Sequence, residues 1–162
     1  MNAILIGILV LIDQIVKFLV KSKIALESSI VIIPNFFSLT YVRNDGAAFS
    51  ILEGKTWFLI LIAIMVLVFI IGYSIKNNLK QKENIILSII IAGIVGNLID
   101  RLLYGYVIDF LSFKIINYDF PVFNIADILV CIGCFIYIIY LIKEDKNEWI
   151  CSFKKWWRKK NW

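Results

Sequence analysis

The chain has 162 residues, 61% of them hydrophobic, with a formal charge of +5 and a mean hydropathy of +0.87. A soluble domain of this length could not bury so much apolar surface, so lipid is the solvent for most of the chain. Histidine is absent, which removes Ser-His-Asp and Cys-His catalysis, HExxH metal sites and histidine proton relays together.

The first apolar segment covers residues 3–21. Its start carries no Lys or Arg, its core contains Asp13 and Lys17, and no small-residue cleavage site follows, so it reads as a retained helix. Asp13 and Lys17 are four apart, share one face and can neutralise each other. Residues 22–56 follow. Within them "SIVIIPNFFSLTYVRNDGAAFSIL" alternates β-branched and aromatic residues and is broken by Pro34 and by Asn44-Asp45-Gly46, which predicts short strands on the membrane surface. The second span, 57–75, is nearly bare of polar groups. The basic link "KNNLKQKEN" leads into the third, 85–103.

In that third span Asn97, Asp100 and Arg101 form one polar stripe. Ala92, Gly93 and Gly96 before it allow close approach of another backbone. The stripe suits either interhelical glue or the wall of a wet cavity. Residues 104–125 begin with Gly105, where the chain can turn, and carry Asp109 in "GYVIDF". Asn124 and Asp127 open the fourth span, 126–142, in which Cys131 and Cys134 form a CxxC that reads as buried small apolar residues. Each span is near the roughly 20 residues that cross a bilayer core. The tail, 146–162, is basic and Trp-rich, as expected of a segment against an anionic membrane surface, and nucleic acid is not an expected partner. The basic link and tail place both termini in the cytoplasm and the two long connections outside. The predicted fold is an all-α four-helix membrane bundle (residues 1–145) with a small extracytoplasmic β-rich region after the first helix.

Intramembrane ionisable residues cost several kcal/mol unless paired or wetted. Three carboxylates, Asp100, Asp109 and Asp127, gather toward the outer side. Their gaps of nine and eighteen residues do not make a compact metal motif, as a metal-dependent lipid transferase would need, and no internal repeat suggests a transporter. The chemistry most natural to this set is a carboxylate dyad sharing one proton, one acid activating water while the other polarises a carbonyl; structural pairing and an ion path are the alternatives the residues leave open. Asp100 and Asp127 each stand roughly 24 Å above the basic residues at the inner ends of their helices, which favours that pair. The adjacent Arg101 and the turn at Gly105 favour Asp109 instead. From the residues alone the partner of Asp127 stays open.

Five blocks occur in order around the four spans: Asp13-Gln14 with Lys17, "RNDGAAF" (Arg43–Phe49), "AGIVGNLIDR" (Ala92–Arg101), "VIDF" (Val107–Phe110) and "FPVFNIAD" (Phe120–Asp127). Together they resemble the lipoprotein signal peptidases, signal peptidase II. The resemblance implies an aspartic endopeptidase of the bacterial cytoplasmic membrane, with its active site near the outer face. Such an enzyme removes signal peptides from prolipoproteins, cutting before a cysteine that carries diacylglycerol. It implies a dyad of Asp109 and Asp127. By the same resemblance Asn44 and Gly46 would lie in a loop that cradles substrate, Asn97, Asp100, Arg101 and Asn124 would hold the dyad and the substrate backbone, and Asp13 and Lys17 would form a framework pair. The resemblance implies no metal or cofactor; the expected partners are lipidated prolipoproteins and membrane lipid, and the expected state is a monomer. Ala92 stands where a glycine is usual and Ile128 where a serine is common. The tail, with Cys151, Trp156, Trp157 and Trp162, matches no family block.

Overall fold

Among the described residues, four stretches long and apolar enough to cross a membrane fold as helices: α1 (Ala3–Lys23), α2 (Thr56–Lys76), α3 (Gln81–Tyr104) and α4 (Ile125–Lys160), whose spanning part is Ile125–Glu144. The computed structural model describes residues 1–46, 52–116 and 118–160, with the backbone alone for 145–160. The last part of the "RNDGAAF" block and Trp162 lie outside the described residues, as do the side chains of Cys151, Trp156 and Trp157. Asn2 starts α1, its side chain accepting the Leu5 N–H at 3.1 Å. Among the described residues, α1 buries only Asp13, Lys17 and Val20, one narrow stripe, and leaves the rest to lipid.

The central helix is α3, which packs against all three others. It can do so because its facing positions are small. A Cβ at Gly93 would run into the backbone carbonyl of Ala126 and lie 2.7 Å from Val130 Cγ2, and one at Gly96 would lie 2.7 Å from Asp13 Oδ2. Close backbone approach thus brings the polar stripe of α3 against α1 and the start of α4. Gly93→Val should therefore part α3 from α4 and lower stability by about 1–3 kcal/mol. Gly7→Ala, whose added Cβ meets nothing within 4 Å, should leave it unchanged. Thermal unfolding of both variants in one detergent checks this, and equal midpoints would rule out tight packing at Gly93.

Strands β1 (Ser29–Ile33), β2 (Phe37–Asn44), β3 (Val107–Ile115) and β4 (Tyr118–Asp119) form one antiparallel sheet in the order β1-β2-β3-β4. The expectation of an all-α chain with β structure only after the first helix is corrected here, since half of the sheet's strands come from the connection after α3. The reason lies at Gly105, which ends α3 in the left-handed region (φ 80°) and turns the chain back. The following "VIDFLSFKI" is rich in β-branched and aromatic residues and pairs with β2, setting Val42 opposite Asp109 and Asn44 opposite Val107. The sheet seats on the end of α1 through Val20, Ile24, Tyr41, Ile108 and Phe110. Phe113 stacks on Phe37 at 4.7 Å and on Phe123 at 5.7 Å, closing the sheet over the entry to α4. Cys131 and Cys134 are exposed rather than buried, on a helix most of whose surface faces lipid.

Candidate active site

The entry to α4 is a reciprocal cap. Asn124 Oδ1 accepts the Asp127 N–H at 3.0 Å, while Asp127 Oδ2 accepts the Asn124 N–H at 3.1 Å. An N-cap residue and an acid three places on satisfy two otherwise orphaned helix donors in this way. The arrangement leaves Asp127 half-buried at the head of a membrane helix and fixes both oxygens of its carboxylate, since Oδ1 accepts Asn97 Nδ2 at 2.8 Å.

Asp109 arrives from β3 and is 2% exposed. Its Oδ1 accepts Asn124 Nδ2 at 2.6 Å and its Oδ2 accepts Asn44 Nδ2 at 2.8 Å. Asn124, fully buried, therefore touches both carboxylates. Burial pushes the Asp109 carboxyl up to about 7, and the charge of Asp127 pushes the same way. Hydrogen bonds from Asn44 and Asn124 and the charge of Lys17 pull against them.

The three amides are oriented by groups that can only donate. Asn44 Oδ1 takes the Gly46 N–H at 3.0 Å, Asn124 Oδ1 takes the Asp127 N–H, and Asn97 Oδ1 takes Lys17 Nζ at 3.0 Å. Each amide must then aim its NH2 at a carboxylate. Lys17 is 1% exposed and holds this frame from α1. Its Nζ lies 2.9 Å from Asp13 Oδ2 and 3.0 Å from Asp100 Oδ2, and both acids are fully buried. Asp13 also accepts the Ala126 N–H at 3.0 Å, and Asp100 the Ile108 N–H at 3.0 Å. The two acids thus hold the residues next to Asp127 and Asp109. Arg101 donates through Nη2 to Gly46 O at 3.0 Å, tying α3 to the loop that follows β2. The ten candidate site residues, Asp13, Lys17, Asn44, Gly46, Asn97, Asp100, Arg101, Asp109, Asn124 and Asp127, thus lie in one network.

The network has one further member, to which the sequence assigned no role. Gln14 Nε2 reaches Asp100 Oδ1 (3.0 Å), Gly96 O (3.1 Å) and Asp13 Oδ2 (3.3 Å). Its place beside Asp13 in the first block was the only signal. Among the described residues no group of three or more Cys, Asp or Glu side chains is placed to hold a metal ion.

A family model described as Signal peptidase (SPase) II matches residues 5–143. The chain belongs to the signal peptidase II family. A lipoprotein signal peptidase of Halothermothrix orenii is 44% identical over 139 residues, covering 86% of this chain and 93% of the relative. One from Clostridium tetani is 41% identical over 150 residues, covering 91% and 96%. A solved bacterial membrane enzyme superposes with a TM-score of 0.82 at 37% identity, covering 89% of this chain and 88% of its own. With four apolar helices and these neighbours, this member of signal peptidase II is a multi-pass membrane protein. The matched region stops at 143, short of the basic extension of α4.

Proposed function

We propose that this signal peptidase II is an aspartic endopeptidase of the cytoplasmic membrane. It removes signal peptides from prolipoproteins, cutting before the diacylglyceryl cysteine, with Asp109 and Asp127 as the dyad. Both termini lie in the cytoplasm and the site lies near the outer face. The observation that carries the reading is Asn124, which bridges a buried carboxylate through its side chain and a half-buried one through its backbone N–H, the two drawn from different elements. The family membership and the relatives' name support the substrate class.

The two acids have different surroundings, and that difference assigns their roles. Asp109, with its affinity for a proton raised to about 7, holds the shared proton and donates it toward the scissile carbonyl oxygen. Asp127, its oxygens fixed by Asn97 and Asn124, takes a proton from water, and the resulting oxygen nucleophile attacks the carbonyl carbon. The tetrahedral intermediate collapses as Asp127 passes its proton to the leaving amine and the carbonyl re-forms, returning a proton to Asp109. Water and peptide are converted to acid and amine with no covalent enzyme intermediate. Asp100 is already committed to Lys17, Gln14 and the Ile108 N–H, which suits support better than proton exchange.

Purified enzyme in detergent with EDTA should cut a diacylglyceryl prolipoprotein and leave its unlipidated form intact. Loss of cleavage in EDTA, restored by a divalent metal, would contradict a metal-free dyad. The pH profile adds a second prediction. Protonated Asp109 is present below about pH 7 and lost above it, so the rate should fall as pH rises through that range. Asn44→Ala removes a donor that favours the charged form, so its basic limb should move up by roughly half a unit to one unit. A limb that stays in place or moves down would argue against Asp109 as the proton carrier.

A further inference from the structure

Two exposed cations stand where the ends of α1 and α3 meet the sheet. Lys21, in the last turn of α1, places Nζ 3.7 Å over the ring of Tyr104 at the end of α3. Arg43 on β2 places its guanidinium 4.8 Å from the centre of the Tyr106 ring and 5.9 Å from that of Tyr41, and its Nε donates to Tyr41 Oη at 3.3 Å. Tyr104 and Tyr106 stack on each other at 5.8 Å. A ring holds a cation in place without neutralising it. Among the described residues neither Lys21 nor Arg43 is salt-bridged to a carboxylate. Both therefore keep their charge for an anion from outside the chain.

Depth says which anion. Phe18 and Leu19 on α1 are 68% and 48% exposed, and Leu102 and Leu103 on α3 are 62% and 66% exposed. These side chains belong in hydrocarbon. Lys21 and Tyr104 follow them within a turn of helix, so the patch stands at the level of the headgroups. The first anions met there are lipid phosphates.

We propose that Lys21, Tyr104, Tyr106 and Arg43 form a seat for the phosphodiester headgroups of anionic phospholipids. Arg43 pairs in the sheet with Ile108, the neighbour of Asp109. Lipid bound at Arg43 thus sets the depth of the strand that carries Asp109. The binding itself does not depend on the peptidase reading and is measured without activity.

The full-length protein, delipidated in detergent, is titrated with phosphatidylglycerol or phosphatidylcholine, and bound lipid is counted by native mass spectrometry. Wild type should prefer phosphatidylglycerol. At about 1 kcal/mol per surface cation, Lys21→Gln with Arg43→Gln should weaken that binding roughly tenfold or more, and each single change should lose part of it. The basic tail is common to all variants and cancels in the comparison. Lys114→Gln, which removes an exposed cation paired with Asp119 at 3.7 Å, should bind as wild type does. Equal retention by the double variant, or equal loss with Lys114→Gln, would overturn the seat. Displacement of the lipid by excess inorganic phosphate would assign the patch to free anions and overturn the lipid reading. Matching thermal midpoints confirm that each variant is folded.

Discussion

Asp109→Asn and Asp127→Asn should each lower the cleavage rate by about a thousandfold or more while the protein stays folded. Each removes one half of a proton exchange that general acid–base catalysis values at roughly 10²–10⁴, and neither leaves a second route. Asn keeps the size of Asp and an acceptor oxygen. At Asp127 the cap on α4 can still form, and at Asp109 the burial penalty on the charge disappears. Asp109→Asn should therefore stay folded with a stability near that of wild type at neutral pH, the relieved charge burial being offset by an amide NH2 set against that of Asn44 or Asn124. The sign of the burial effect follows from the raised proton affinity: the folded state holds a proton that the unfolded state releases, so between about pH 4 and 7 Asp109 costs stability as pH rises. Initial rates on a diacylglyceryl prolipoprotein, with thermal midpoints at pH 7.5 (a pH chosen as about half a unit above the shifted value), read both quantities. Loss of rate together with loss of fold would make Asp109 structural.

The second large effect lies at Lys17, which touches neither carboxylate of the dyad. Lys17→Met should destabilise the protein by about 3–5 kcal/mol, because it strands Asp13 and Asp100 as buried charges without a cation. It also removes one of the two donors to Asn97 Oδ1, leaving only Asn124 Nδ2 at 3.1 Å, so the Asn97 donor to Asp127 is held less firmly. Adding Asp13→Asn restores the net charge of the cluster and should return much of the stability. Activity should stay below that of wild type in that double variant, since Asn124 Nδ2 alone then orients Asn97. Chemical denaturation in mixed micelles separates the two effects. Lys17→Met as stable as wild type would mean that the buried ion pairs are not formed.

Much of this was legible in the sequence. Hydropathy gave the four spans, and the run of small residues ending at Gly96 marked the face on which α3 packs. The cap linking Asn124 to Asp127 is a local spacing that any helix start can show. The choice between Asp100 and Asp109 was not legible from the residues, because a count of 1.5 Å per residue along α3 carries no information about the reversal at Gly105. That reversal sets β3 beside β2, a pairing of residues more than sixty positions apart in the chain, as the Asn44–Asp109 hydrogen bond shows. The same long-range pairing explains why "VIDFLSFKI" was read for its carboxylate and not as a strand. The role of Gln14 was not legible because two of its three partners, Gly96 and Asp100, lie on another helix. Cys131 and Cys134 look like core residues by polarity, but on a helix facing lipid an apolar side chain has no need to be buried by protein.

The most direct test of the dyad sets Asp100→Asn beside Asp109→Asn in the same detergent, with the same lipidated substrate. Asp100→Asn should lose stability, by about 1–3 kcal/mol, and keep part of its cleavage rate, because Asp100 holds the frame. Asp109→Asn should keep its fold and lose cleavage. An active Asp109→Asn beside a folded, inactive Asp100→Asn would contradict the assignment and move the dyad to Asp100 and Asp127.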